Sequence, residues 1–107
     1  PGVRFQALAV KPFYGGFKDQ ALRGVRLHLD DPRAFEPLRT ALTILATLER
    51  LHPGKIAWAE EKIIGRHWGE TTLPARISRG DAVPDIQAAW RGDLDVFLAA
   101  RRAALLY

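Results

Sequence analysis

The chain has 107 residues, of which 48% are hydrophobic and 26% charged, and its formal net charge at pH 7 is +4. This composition is typical of one folded globular domain and excludes a disordered chain. Because cysteine is absent, disulfides, thiolate metal sites and cysteine nucleophiles are excluded, and no apolar run approaches the roughly 20 residues that span a bilayer.

The first part of the chain predicts two strands. Val3 to Pro12 alternates between two faces, with Val3, Phe5, Ala7 and Ala9 on one of them. Val25 to Asp30 alternates more cleanly, because its apolar residues are separated by arginine and histidine. One buried and one solvated face favour an antiparallel or mixed sheet.

The best helix signal runs from Asp31 to His52. Asp31 is a good N-cap, Pro32 suits the first helical position, and Pro53-Gly54 ends the helix. Pro37 interrupts the pattern. Because proline lacks a backbone donor and clashes with the preceding turn, either the first turn is irregular or the regular helix begins at Pro37. The broad apolar stripe of this helix requires cover by a sheet or a second helix. It consists of Phe35, Leu38, Ala41, Leu42, Leu45 and Leu48.

The second half predicts three further elements. Lys55 to Glu61 is predicted as a third, short strand, and Leu73 to Ser78 as a short helix that ends at Gly80. Asp81 to Tyr107 is predicted to contain the C-terminal helix, with Pro84 in its first turn. The predicted fold class is therefore α+β, with a small mixed or antiparallel sheet of about three strands packed against one long helix and a C-terminal helix.

Two segments between these elements are rich in rings and charges. In the loop from Phe13 to Gly24, three aromatic residues surround Gly15-Gly16. Either these rings form the wall of a ligand site, or they fold back and cap the core. The second loop contains Arg66, His67 and Trp68.

No catalytic constellation is apparent in the sequence. The three histidines lack the spacing of metal ligands, and neither Glu60-Glu61 nor the pair Asp93 and Asp95 can face each other across a cleft. Nucleotide-binding and serine-hydrolase motifs are also missing. The sequence therefore predicts no catalytic residue, no metal site and no cofactor, and indicates a module that supports, binds or closes something.

The opening Pro1-Gly2, without methionine, leads almost directly into the first strand. We therefore expect residues 1–107 to form a single domain, cut or processed from a longer polypeptide whose preceding segment carries the chemistry.

Several segments, in order, carry a family resemblance. They are GVRF at 2–5, GVRLHL at 24–29, DPRAFEPLRTAL at 31–42, LERLHPGKIAW at 48–58 and AWRGDLDVFLAARRAALLY at 89–107. With these segments the chain resembles the C-terminal domain of the NamZ-type exo-β-N-acetylmuramidases. These are bacterial glycoside hydrolases that were formerly classified as a domain of unknown function.

The resemblance implies a role in peptidoglycan turnover. Members of the family remove N-acetylmuramic acid from the non-reducing end of peptidoglycan fragments. Their N-terminal, Rossmann-like domain carries the catalytic carboxylates, and the C-terminal domain packs against it and helps to shape the cleft. By this resemblance the chain is an accessory, substrate-cleft domain that is not catalytic alone. Its implied partners are the N-terminal catalytic domain of the same polypeptide and a muropeptide or amino-sugar substrate, in the cell envelope, the periplasm or outside the cell.

The two ring-rich segments supply the candidate substrate-binding residues, which are Phe13, Tyr14, Lys18, Arg23, Arg66, His67 and Trp68. Aromatic rings suit the apolar faces of sugars, and the cations suit a lactyl carboxylate. Two alternatives accompany this hypothesis. The chain could be a small basic interaction module, for example for nucleic acid. The isolated domain could also form a homodimer through the apolar patch left by a missing partner.

Overall fold

The computed structural model describes residues 1–58 and 61–106, with the side chains of residues 61–64 excepted. It divides the chain into two compact units, Pro1–Pro37 and Leu38–Tyr107. The fold class is α+β, as predicted, with a two-stranded antiparallel sheet in the described part of the chain and several helices.

The first unit is built on a β-hairpin. Strand β1 (Val3–Val10) pairs antiparallel with β2 (Leu22–Leu29), from Val3 opposite Leu29 to Val10 opposite Leu22. The predicted burial of one face is wrong, because Phe5, Val25, Leu27 and Leu29 are each 43–53% exposed. Facing residues in such a pair nevertheless share one side of the sheet, so the predicted apolar face is present. It contains Val3, Phe5, Ala7, Val25, Leu27 and Leu29. The predicted loop was too long by three residues, because β2 already begins at Leu22.

A capped turn follows the hairpin. The Asp31 carboxylate accepts hydrogen bonds from the backbone N–H groups of Arg33 (2.9 Å) and Ala34 (3.4 Å). The predicted cap is therefore present, but it closes a single turn, and helix α1 (Pro37–Leu51) begins at Pro37. Of the two possibilities that Pro37 left open, the later start of the regular helix is the correct one.

The second unit is helical. After α1 come α2 (Glu61–Trp68), α3 (Leu73–Arg79), α4 (Val83–Ala89) and α5 (Arg91–Arg102). Four fully buried side chains form its core, namely Leu42, Leu73, Ile77 and Ile86. Helix α3 ends as predicted at Gly80, whose φ of 85° lies in the left-handed region and whose N–H donates to the Ile77 carbonyl at 2.9 Å. None of the described helices combines the length and apolar character needed to cross a membrane.

The predicted third strand is wrong where the structure can test it. Residues 55–58 have no regular structure, Glu61 starts α2, and Ala59 and Glu60 lie outside the described residues. The N–H of Trp58 donates locally to the Ile56 carbonyl at 3.0 Å, and the Trp58 ring packs against the helical core. The apolar alternation that indicated a strand is thus explained by the packing of one ring on helices.

The predicted C-terminal helix is divided in two. Helix α4 ends at Ala89 and α5 begins at Arg91, so that Trp90 lies at the break. The indole N–H of Trp90 donates to the Glu70 carboxylate, which also accepts from the Thr72 hydroxyl. Trp90 is therefore held by a side chain from outside α4 and α5. The break lies close to Gly92, which is unfavourable inside a helix.

Candidate functional site

The hairpin loop, residues 11–21 and hereafter the aromatic loop, is closed by its own backbone. The N–H of Asp19 donates to the Pro12 carbonyl at 2.8 Å. Two further bonds, from Lys18 to Gly15 and from Gln20 to Phe17, are each 3.1 Å long. Asp19 takes a left-handed backbone conformation, with φ of 61°, that aspartate tolerates better than most residues. These bonds give the loop a defined shape in spite of its glycine pair.

Three rings project from this loop into solvent. The exposed fractions are 79% for Phe13, 72% for Tyr14 and 62% for Phe17. Phe13 and Tyr14 contact each other edge to face, with ring centroids 4.8 Å apart. The interpretation that these rings cap the core is therefore wrong. Exposed rings grouped on a shaped loop are typical of a binding surface rather than of a core.

Two of the predicted cations belong to the same unit as the aromatic loop. Lys18 lies in the aromatic loop, and Arg23 lies on β2 opposite Ala9, one pair away from the loop. Both side chains are exposed, and neither forms an ion pair within the described part of the chain. The first unit thus brings four of the seven predicted residues into one segment, and Phe17 adds a ring that the candidate set omitted.

The other three predicted residues belong to the second unit. The prediction of a loop there is wrong, because Arg66, His67 and Trp68 form the last turn of α2, which ends at Gly69 with φ of 70°. Arg66 and His67 are exposed, whereas Trp68 is half-buried and packs against the core. Trp68 therefore has a packing role that its aromatic type alone did not reveal.

The second unit also contains a groove of about 390 Å³, hereafter the α1–α3 groove. It lies between the C-terminal half of α1 and the segment that joins α3 to α4, and its lining includes Ala46, Ile77 and Val83. Glu49, Arg50, Arg79 and Asp81 bring charge to the same walls. No prediction from the sequence pointed to this groove.

Asp81 is the fully paired carboxylate of the groove. It accepts from Arg79 Nε and Nη2, both at 2.8 Å, and from Arg76 Nε at 3.0 Å. The hydrogen bonds from Arg79 first, and then from Arg76, lower the pKa of Asp81 to about 2. A general acid needs a raised pKa, so Asp81 is unsuited to donate a proton in glycoside hydrolysis.

Glu49 is the buried carboxylate of the groove, with an exposed fraction of 8%. Its Oε1 accepts the N–H of Gly54 at 2.8 Å, and its Oε2 is buried without a hydrogen-bond partner among the described residues. Sequence reasoning missed Glu49 because a charged residue near the end of a helix is usually exposed. Its position seven residues after Leu42, on the same helix face, was the available signal.

The ion pairs of Asp81 predict a specific pH dependence of stability. The pKa of Asp81 falls on folding from 3.8 to about 2, so its stabilising contribution is complete above about pH 4 and is lost as the pH decreases toward 2. Asp81→Asn should lower the melting temperature near neutral pH, and its difference from the unaltered chain should shrink between pH 4 and pH 2. Thermal unfolding across this range measures the effect. Asp95→Asn, an exposed change on α5, is the control and should show no such convergence; a constant difference for Asp81→Asn would contradict the assignment.

Among the described side chains, no group of three or more His, Cys, Asp or Glu residues is placed to hold a metal ion.

Comparisons with known proteins agree with one another. Residues 1–107 match the family described as "Exo-beta-N-acetylmuramidase NamZ, C-terminal". The chain is 27% identical, over 111 aligned residues, to the "Peptidoglycan beta-N-acetylmuramidase NamZ" of Bacillus subtilis (strain 168). This alignment covers all of the chain and 26% of that protein. A solved structure of a DUF1343 family protein from Bacteroides fragilis NCTC 9343 has the same fold, with a TM-score of 0.83 and 24% identity, over 100% of this chain and 29% of that one.

These findings define the chain as an α+β domain that spans about a quarter of the length of its bacterial relative. The full-length match goes further: the chain belongs to the family of C-terminal domains of the exo-β-N-acetylmuramidase NamZ.

Proposed function

We propose that this chain is the substrate-cleft domain of a muramidase-like glycoside hydrolase acting on peptidoglycan fragments, and that the aromatic loop contacts the sugar. The observation that carries the proposal is the set of three exposed rings on a loop closed by its own hydrogen bonds. The family and the B. subtilis relative supply the substrate class.

The chemistry of the loop suits an amino sugar with an acidic substituent. The C–H faces of a pyranose are apolar and pack on aromatic rings, and the exposed pair of Phe13 and Tyr14 offers two ring surfaces at an angle of 67°. Lys18 and Arg23 are available to a carboxylate, because neither is engaged in an ion pair in the described residues. Charge-assisted hydrogen bonds of this kind are stronger than neutral ones.

The preceding part of the polypeptide is the proposed partner. The chain covers 26% of the B. subtilis relative, so most of such a protein lies outside the segment described. The exposed apolar face of the hairpin, which includes Phe5, Val25 and Leu27, offers this partner a surface to pack against. In this arrangement the catalytic carboxylates are supplied by the partner, and Arg66 and His67 remain candidate contacts from the second unit.

Removal of the Tyr14 ring from the full-length enzyme should raise KM about three- to tenfold with little change in kcat. The reason is that a ring–sugar contact made equally in the ground and transition states affects binding only, and such contacts are worth roughly 0.5–1.5 kcal/mol. The measurement is steady-state kinetics of Tyr14→Ala, and of Phe13→Ala, on a muramic-acid-terminated fragment.

Phe97→Ala is the matched control, because Phe97 is a similarly exposed ring on α5. If Tyr14→Ala and Phe13→Ala both kept the KM of the unaltered enzyme, the loop would not face the substrate. Binding of nucleic acid, the alternative function predicted from the basic composition, is not supported by the comparisons. A dimer of the isolated domain stays a prediction.

A further inference from the structure

The α1–α3 groove contains a buried carboxyl group with one oxygen that has no hydrogen-bond partner in the part of the chain that the structure describes. Gly54 fixes one oxygen of Glu49, in the turn where the chain leaves α1. The other oxygen is buried with no donor in the described residues. An unsatisfied buried acceptor is costly, and it needs an explanation where it occurs.

The cations around the groove do not relieve Glu49. Arg76 and Arg79 are both engaged by Asp81. Arg50 lines the groove but is exposed, and no hydrogen bond joins it to Glu49. Oε2 of Glu49 is therefore the carboxyl oxygen of the groove that has no donor among the described residues.

We propose that the α1–α3 groove binds a small ligand through a primary ammonium group placed against Glu49. An ammonium ion offers three N–H donors and a positive charge, which match a carboxyl group that already has one oxygen satisfied. Because Oε2 is itself buried, binding requires the Glu49 side chain to shift until this oxygen meets the ammonium group in the groove that the side chain lines.

The size and lining of the groove restrict the ligand. Its volume of about 390 Å³ is near the lower end of the range of about 300–1,000 Å³ for small-molecule sites, which suits one sugar or one amino-acid residue. The apolar side chains of Ala46, Ile77 and Val83 suit the carbon skeleton of either ligand, and Thr47 and Ser78 add hydroxyl groups. A free amine of either kind, from an amino sugar or from an amino-acid side chain, provides the same chemistry.

Two pairs of probes test the inference by isothermal titration of the full-length polypeptide. Glucosamine and N-acetylglucosamine differ in whether the sugar nitrogen is a free ammonium group. Nα-acetyl-lysine methylamide and its Nε-acetylated form differ in the same way at an amino-acid side chain. In at least one pair, the free amine should bind tenfold or more tightly than its acetylated partner, and the pair that shows this difference identifies the source. Glu49→Gln, which removes the charge and keeps the size, should weaken that binding tenfold or more.

Two further variants complete the test. Asp95→Asn removes a carboxylate on exposed α5 and should leave the affinity unchanged. Ser78→Trp places a large ring at the exposed rim of the groove and should block binding, which provides a second readout if Glu49→Gln does not fold. The inference is overturned if no probe binds, if acetylation makes no difference, or if the amine still binds Ser78→Trp. Because the readout is binding of small amines rather than hydrolysis, such a result leaves the proposal for the aromatic loop untouched.

Discussion

Replacement of Leu42 by alanine is expected to lower the free energy of unfolding by about 2–5 kcal/mol. Leu42 has an exposed fraction of 0% and packs with Leu73, Ile77 and Ile86, the other fully buried side chains of the second unit. Truncation removes apolar area and leaves a cavity that the short helices around it can only partly fill. Since a domain of this size is stable by about 5–15 kcal/mol, this is a large share of the total.

Leu48→Ala is the matched control, because Leu48 lies on the same helix with an exposed fraction of 43%. Urea unfolding of both variants, followed by helical circular dichroism, measures the difference, and Leu48→Ala should cost clearly less. Equal losses for the two variants would mean that the four buried side chains do not form the main core.

Gly2→Ala is expected to disrupt the junction between the hairpin and the capped turn. Gly2 has a φ of 70°, and a Cβ atom there would lie 2.5 Å from the Asp31 carbonyl oxygen and 2.7 Å from the Phe35 nitrogen. Both neighbours are backbone atoms, so neither can move aside without moving the turn. The Gly2 carbonyl also accepts the N–H groups of Asp30 (3.0 Å) and Asp31 (3.2 Å), and these bonds should be weakened together.

Hydrogen exchange of the Asp30 and Asp31 amides measures this effect, and their protection should fall by tenfold or more. Gly15→Ala is the control. Gly15 has a similar φ of 83°, but beyond its two chain neighbours no heavy atom of the described residues lies within 4 Å of the place that the added methyl group would occupy. Alanine at Gly15 therefore meets only the backbone cost of about 1–2 kcal/mol. Unchanged protection in Gly2→Ala would show that the turn is not held by Gly2.

The elements that the sequence predicted correctly are those in which local chemistry and the final packing agree. The alternation in Val3–Val10 and Leu22–Leu29 matches a two-stranded antiparallel hairpin, Asp31 caps its turn, and Gly80 ends α3. The errors arise where packing between distant residues dominates. The spacing of Ile56 and Trp58 predicts a strand, but the Trp58 ring packs on the helical core. The helical pattern predicts one helix through Trp90, but Glu70 holds this residue at a break.

The candidate sites show the same division. The aromatic loop was predictable because glycine pairs and exposed rings are visible in a short segment. The pairing of Glu49 with Gly54 was not, because the position of Glu49 on the helix face of Leu42 indicates burial but does not indicate which group it bonds. A buried polar group is specified by the neighbours that surround it, and those neighbours come from α1, α3 and the segment before α4.

The hairpin has one further consequence for the behaviour of the chain in solution. In the described residues β1 and β2 pair only with each other, so β2 presents a row of unpaired peptide groups along its outer rim. Two copies could pair antiparallel through their β2 edges, with Arg26 at the centre and their apolar faces on the same side. This pairing would place the two Arg26 guanidinium groups directly opposite each other. Like charges in that position repel, and salt screens the repulsion. In this register Arg26 therefore opposes edge-to-edge pairing of two hairpins, and this opposition weakens as ionic strength rises.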